Sequence, residues 1–129
     1  MPAAIGVRMA QPRRPVVAVV GDGSSLHAIQ ALWSAAHYGC GVLFVVLANG
    51  RYAVMDRLAE QHGADEPPWP AFPEVSVAGL ALALGCPARR VRTGDELAAA
   101  LDEVVPTLDG RTEPLVLEVA VRVEGTFRP

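Results

Sequence analysis

Cysteine is scarce in this 129-residue sequence: Cys40 and Cys86 are the only two, and neither lies in a C-x-x-C. Both flank apolar runs, so they are expected to be buried free thiols rather than a metal or redox pair. Basic clusters are also lacking. The net charge is −3 with no block of like charges, which gives no electrostatic footprint for nucleic acid or an anionic membrane surface. No apolar run approaches the roughly 18 residues that cross a bilayer. Arg8, Arg13 and Arg14 near the start are followed by no apolar core of signal-peptide length, so the cytoplasm is the expected location. A G-K-[ST] sequence is absent, which excludes a P-loop. What remains is 51% hydrophobic, enough for a sizeable core in a single domain over residues 1–129. No internal repeat is evident.

The sequence is organised around residues 16–52. A short β-branched run, V-V-A-V-V, ends abruptly in Gly21-Asp22-Gly23-Ser24, and a second run, V-L-F-V-V-L-A, ends in Asn49-Gly50. If the two runs are parallel strands joined by a helix, Asp22 and Asn49, 27 positions apart, lie at the carboxyl ends of neighbouring strands. Open α/β sheets bind ligands there. Gly21 and Gly23 permit positive φ and close approach of the main chain to a ligand. Ser24 is expected to open the helix, whose first amides favour an anion, phosphate above all. Asp22 conflicts with an anion unless a cation lies between them. Mg²⁺ resolves the conflict, because it takes octahedral oxygen ligands from one or two protein groups plus substrate phosphates. The Asp22 carboxylate, the Asn49 side-chain carbonyl and a main-chain carbonyl just after Asn49 suit it. Two other readings stay open. One is a dinucleotide site, although Leu26 stands where a third glycine belongs and no acidic residue ends the second run. The other is a strand–turn–helix junction without function.

The rest of the chain alternates helices and strands. Residues 1–15 carry a helix-like apolar face of Ala3, Ala4, Ile5, Val7 and Met9, then a Pro-containing turn. Leu26, Ile29, Leu32, Trp33 and Ala36 recur at three- and four-residue spacing, which predicts one crossover helix over 24–38 with Trp33 in the core. Gly39 fits its C-cap. His27 and His37 fall on this segment without a visible partner, so neither is assigned a proton-transfer role. Val42–Leu47 is continuously apolar, as in a strand buried on both faces. Residues 51–62 read as a short helix with Met55, Leu58 and Ala59 inward. Residues 64–73 hold four prolines and form an extended loop, whose Trp69 and Phe72 are expected to pack on their own domain. Ser76 caps a helix carrying Val77, Leu80, Ala81 and Leu84, closed by Gly85. A short strand follows at 89–92. Thr93-Gly94-Asp95-Glu96 has the capping-box pattern of a helix that Pro106 ends. Residues 115–121 form a last strand, apolar apart from Glu118. The alternation predicts an α/β fold with a mainly parallel sheet.

The phrases G-D-G-S, A-L-W-S-A-A-H-Y and L-A-N-G-R-Y resemble the cofactor motif of thiamine diphosphate-dependent enzymes, most closely the benzoylformate decarboxylase branch, with acetolactate synthase-like enzymes next. The resemblance covers nearly the whole chain and implies a three-layer α/β/α diphosphate-binding domain. It implies Asp22, Asn49 and the Arg51 carbonyl as Mg²⁺ ligands. Gly21, Gly23, Ser24 and Tyr52 would lie against the thiamine diphosphate. One departure is Ala48, where the family has a further Asn before the ligating one. Another is the start of the chain at P-A-A-I-G, which the family precedes with a Gly-rich loop and a strand, so an N-terminally truncated domain is expected.

In such enzymes the cofactor lies between this domain and a pyrimidine-binding domain on another chain, which supplies an activating Glu. Glu60, Glu66, Glu74, Glu96, Glu103, Glu113, Glu118 and Glu124 all fall outside that context, so no catalytic residue is assigned. The chain alone is therefore expected to be catalytically incomplete: part of a 2-oxo acid decarboxylase or carboligase, or a non-catalytic cofactor-binding module. Exposed apolar surface and association with a second chain, or with a further copy of this one, follow as expectations.

Overall fold

A computed structural model describes residues 1–63 and 69–123. Four strands, β1 (Val16–Gly21), β2 (Val42–Ala48), β3 (Ala88–Val91) and β4 (Leu115–Ala120), form one all-parallel sheet in the order β1-β2-β4-β3. The helices are α1 (Pro2–Ala10), α2 (Asp22–Leu26), α3 (Ala31–His37), α4 (Ala53–Gln61), α5 (Val77–Ala83) and α6 (Gly94–Val104). Side chains alternate across a strand, so β2 feeds two cores. Val42, Phe44 and Val46 meet Ile5, Leu32, Ala35, Val77 and Ala81 from α1, α3 and α5. Leu43 and Val45 meet Ala100 and Val104 of α6, together with Leu108. This is the expected layered α/β arrangement. The placement of α6 follows from topology: β3 to β4 runs back across the sheet, so a right-handed crossover puts its helix on the opposite face.

The covering is uneven. Val17 and Val19 of β1 are 49% and 66% exposed, because α6 and its neighbours shield only the other three strands on that face. Apolar surface is thus exposed along an edge strand, as expected. Both cysteines are buried and free. Burial pushes the Cys86 thiol up to about 12, with Glu113 adding to the rise, and pushes Cys40 up against the opposing effect of Arg8.

Three expected helical faces are corrected. The segment 24–38 is two short helices, not one. Amides of Ala28, Ala31, Leu32 and Trp33 each bond to the carbonyl three residues back, and such tight turns advance the chain faster than an α-helix does. The phase shifts, Leu32 and Ala35 turn inward, and Trp33 is left 50% exposed, stacked on His37 at 4.7 Å. In α1 the inward residues are Ile5 and Arg8, whereas Val7 and Met9 are exposed. The Arg8 guanidinium takes that place by donating to the carbonyls of Arg14 and Arg111, both at 2.6 Å, since a buried charge must be hydrogen-bonded. In α4 the buried residue is Asp56, and Met55 is 43% exposed.

The caps form as expected. Ser76 Oγ accepts from the Gly79 amide at 3.0 Å, and Thr93 Oγ1 from the Glu96 amide at 3.2 Å. Gly39 and Gly85 take φ of +63° and +78° at helix ends, where glycine carries no Cβ penalty. Part of the proline-rich loop, residues 64–68, and Glu124 lie outside the described residues.

Candidate functional site

Parallel pairing aligns Gly21 with Leu47, so the turns that follow β1 and β2 meet at one rim of the sheet. All seven predicted residues, Gly21, Asp22, Gly23, Ser24, Asn49, Arg51 and Tyr52, line a single cleft of about 450 Å³ there. At its base lies Asp22, only 5% exposed. Its Oδ1 accepts from the Gly23 amide at 2.8 Å, and its Oδ2 from the amides of Asn49 at 2.9 Å and Gly50 at 2.7 Å. One carboxylate thereby staples the β1 turn to the β2 turn. No Lys, Arg or His side chain pairs with it among the described residues. Burying a carboxylate without a counter-charge is costly, and dipoles alone compensate it here.

Gly23 is small because Tyr52 is close. A Cβ at Gly23 would fall 2.5 Å from Tyr52 Cε1 and 2.7 Å from Cδ1. The role expected of Gly21 and Gly23 through positive φ is not realised: neither is among the positive-φ glycines, and Gly21 has φ −72°. Close approach is what Gly23 provides. Gly50, by contrast, does take φ +70°. Helix α2 starts at Asp22 with Gly21 as N-cap, two residues before the expected Ser24, and Ser24 is exposed. At five residues it supplies one turn of amides rather than a full helix dipole.

Across the cleft, Asn49 Oδ1 accepts from the Arg51 amide at 3.1 Å. The Arg51 side chain turns aside, its Nε 2.6 Å from Asp56 Oδ2. His27 is exposed with its ring 6.2 Å from that of Tyr52, and His37 belongs to the distant Trp33 stack. Among the described residues no three His, Cys, Asp or Glu side chains converge. A cation at Asp22 would therefore draw on one carboxylate, amide-type carbonyls and the oxygens of its ligand, the donor set that suits Mg²⁺.

Ser25, Asp56 and Glu118 escaped the sequence reading as neighbours of the site, whereas Phe72 packs on its own domain as expected. Ser25, fully buried, donates to the Asp22 carbonyl at 2.7 Å. Asp56 also accepts from Trp69 Nε1 at 2.7 Å. Phe72 packs edge-on to Tyr52 with centroids 5.2 Å apart, and its amide donates to the Gly50 carbonyl at 2.7 Å. Glu118, the sole charge within β4, is 4% exposed and takes Arg90 at 2.9 Å and the Ala78 amide at 2.5 Å. Its isolation in an apolar run was the one available signal.

The sequence family described as "Thiamine pyrophosphate enzyme, C-terminal TPP binding domain" matches residues 1–119. The chain belongs to this family. A thiamine diphosphate-dependent 4-hydroxybenzoylformate decarboxylase from Rhodococcus jostii RHA1 superposes on 98% of the chain with a TM-score of 0.88 and 29% identity. Benzoylformate decarboxylase of Pseudomonas aeruginosa is 34% identical over 119 residues, and acetolactate synthase isozyme 3 large subunit of Escherichia coli is 51% identical over 55. The match covers 92% of the chain in the Pseudomonas protein and 43% in the Escherichia coli protein. The chain spans about a fifth of the Pseudomonas relative, 23% of the Rhodococcus protein and 9% of the Escherichia coli one. This membership takes the place of the dinucleotide-binding alternative. No helix among the described residues is long and apolar enough to cross a membrane.

Proposed function

We propose that this chain holds thiamine diphosphate through Mg²⁺, with Asp22, Asn49 and the main-chain carbonyl of Arg51 as the protein's metal ligands. The observation that carries this reading is the Asp22 carboxylate, buried in the cleft with three backbone amides and, among the described residues, no cationic partner. A divalent ion there would supply the missing positive charge and bring a diphosphate within reach of Gly21, Gly23, Ser24 and Tyr52. Asn49 would exchange its bond to the Arg51 amide for the metal, its carbonyl oxygen being a hard neutral donor.

When bound, thiamine diphosphate supplies the carbanion-stabilising chemistry itself. The residues of this chain bind and orient its diphosphate end. Gly23 admits the Tyr52 ring to the wall of the cleft, and Tyr52 and Phe72 place apolar surface beside the polar floor. The larger reading is a diphosphate-binding part of a 2-oxo acid decarboxylase or carboligase of the benzoylformate decarboxylase type. The activating Glu would then come from a pyrimidine-binding domain on another chain, and this chain would be incomplete without it. The exposed Val17 and Val19 of β1 favour such an association, and the cytoplasm is the compartment proposed.

Calorimetric titration of thiamine diphosphate with and without Mg²⁺ tests the site. Binding is expected to require Mg²⁺ and to vanish in Asp22→Ala. Binding to folded protein that is indifferent to both would overturn the proposal. Repeating the titration with a pyrimidine-binding domain present tests the incompleteness: heat that appears or strengthens only then supports it.

A further inference from the structure

The turn that carries Asn49 and Arg51 is held from outside as well as from Asp22. Asp56, in the first turn of α4, is 7% exposed, and each carboxylate oxygen has one partner: Arg51 Nε at 2.6 Å and Trp69 Nε1 at 2.7 Å. Trp69 opens a short stretch, residues 69–73, that leans on the same turn at three further points. The Phe72 amide donates to the Gly50 carbonyl, the Phe72 ring meets Tyr52, and Pro73 sits so close to Gly50 that a Cβ there would be 3.2 Å from Pro73 Cα. Asp56 is the group common to both sides, joined to the turn through Arg51 and to the proline-rich stretch through Trp69.

We propose that Asp56 is a positioning residue for the cation–diphosphate site. By holding Arg51 and Trp69 together, it clamps residues 49–52 between the Asp22 carboxylate and residues 69–73. The Arg51 main chain is thereby fixed while its side chain is kept out of the cleft. Outer partners of metal-binding groups act in this way, and their loss lowers metal affinity by roughly 10–100-fold. The inference rests on the reading of Asp22 and Asn49 as the metal site, but its structural half is measurable without cofactor.

Hydrogen exchange and cofactor titration together test it, on wild type, Asp56→Ala, Asp56→Asn and Trp69→Phe. Arg8→Met, at the opposite end of the sheet, serves as a control for general destabilisation. In Asp56→Ala the amides of Asn49 and Gly50, which donate to Asp22, should exchange at least about tenfold faster, and Mg²⁺–thiamine diphosphate should bind about tenfold more weakly. Asp56→Asn keeps an acceptor for one partner and should lose less, as should Trp69→Phe. Arg8→Met should change neither quantity at residues 49–52. Unchanged exchange of both amides in Asp56→Ala overturns the clamp whether or not cofactor binds. Faster exchange with unchanged affinity overturns the positioning role. Failure of wild type to bind Mg²⁺–thiamine diphosphate even with a pyrimidine-binding domain present, while the amides respond to Asp56→Ala, would refute the metal-site reading and its positioning corollary, leaving the clamp standing.

Discussion

Asp22 and Glu118 are both buried carboxylates near the carboxyl ends of parallel strands, and they are neutralised differently. Glu118, on β4, meets Arg90 of β3 and caps the start of α5 through the Ala78 amide and Ser76 Oγ. Asp22, after β1, meets only backbone amides among the described residues. A carboxylate already matched to a guanidinium is committed to holding the fold. One held by amide dipoles alone is still attractive to a cation. The Cys86 thiol, also fully buried, shows a third solution: desolvation keeps it neutral. Burial by itself therefore does not mark a site; what matters is which partner supplies the opposite charge.

The comparison is broken most forcefully by removing the committed group. Glu118→Ala should cost about 3 kcal/mol in urea denaturation, because it strips the buried Ala78 amide at the start of α5 of its acceptor and leaves a void beside β4, while Arg90 is free to turn to solvent. The Mg²⁺ dependence of cofactor binding should persist in the protein that remains folded. Gly23→Ala should cost about 1–2 kcal/mol, since the new methyl meets the Tyr52 ring. The penalty should nearly disappear when Tyr52 is also alanine, and a double-mutant cycle with no coupling would contradict the packing described. Asp22→Asn retains one carbonyl acceptor for the amides and should cost only about 1 kcal/mol. It should nevertheless abolish the rise in Tm that the proposed site predicts for the wild type with Mg²⁺ and thiamine diphosphate. A stability loss as large as that of Glu118→Ala would make Asp22 a structural group like the other.

The smallest effect concerns the thiol. Its folded pKa lies above the usual 9.0, so above that pH only the unfolded chain releases the proton, and stability falls as pH rises toward 12. Between pH 8 and 9.5 Cys86 should account for about 0.8 kcal/mol of loss, and that share should be missing in Cys86→Ala, leaving only what the raised Cys40 thiol adds. An identical pH profile in the two proteins would show that Cys86 ionises in place.

The Asp22–Asn49 pairing was legible because it depends on two local events, each a β-branched run ending in a turn, and on parallel strands that put those ends side by side. The caps at Ser76 and Thr93 were legible for the same reason. Trp33 was misread because the pattern from Leu26 to Ala36 has helical spacing throughout, whereas three-residue turns at 27–30 reset its phase. Arg8 and Asp56 were missed because apolar content predicts burial, and these two are buried by hydrogen bonds to groups far away in sequence: Arg111 for Arg8, Trp69 for Asp56. The contact between residues 69–73 and the Asn49 turn depends on where a proline-rich segment returns, which no local periodicity records.

The strand order carries one further consequence, in time rather than in space. β4 is the last described strand to be synthesised, yet it lies between β2 and β3 and supplies the partner rows of both. Until it arrives, β3 has no neighbour and β2 keeps one open edge. A chain emerging from the ribosome can pair β1 with β2 early, bringing Asp22 and Asn49 together, but cannot close its sheet. The cofactor end can thus take shape before the domain can, and an unfinished chain would present open strand edges to whatever is nearby.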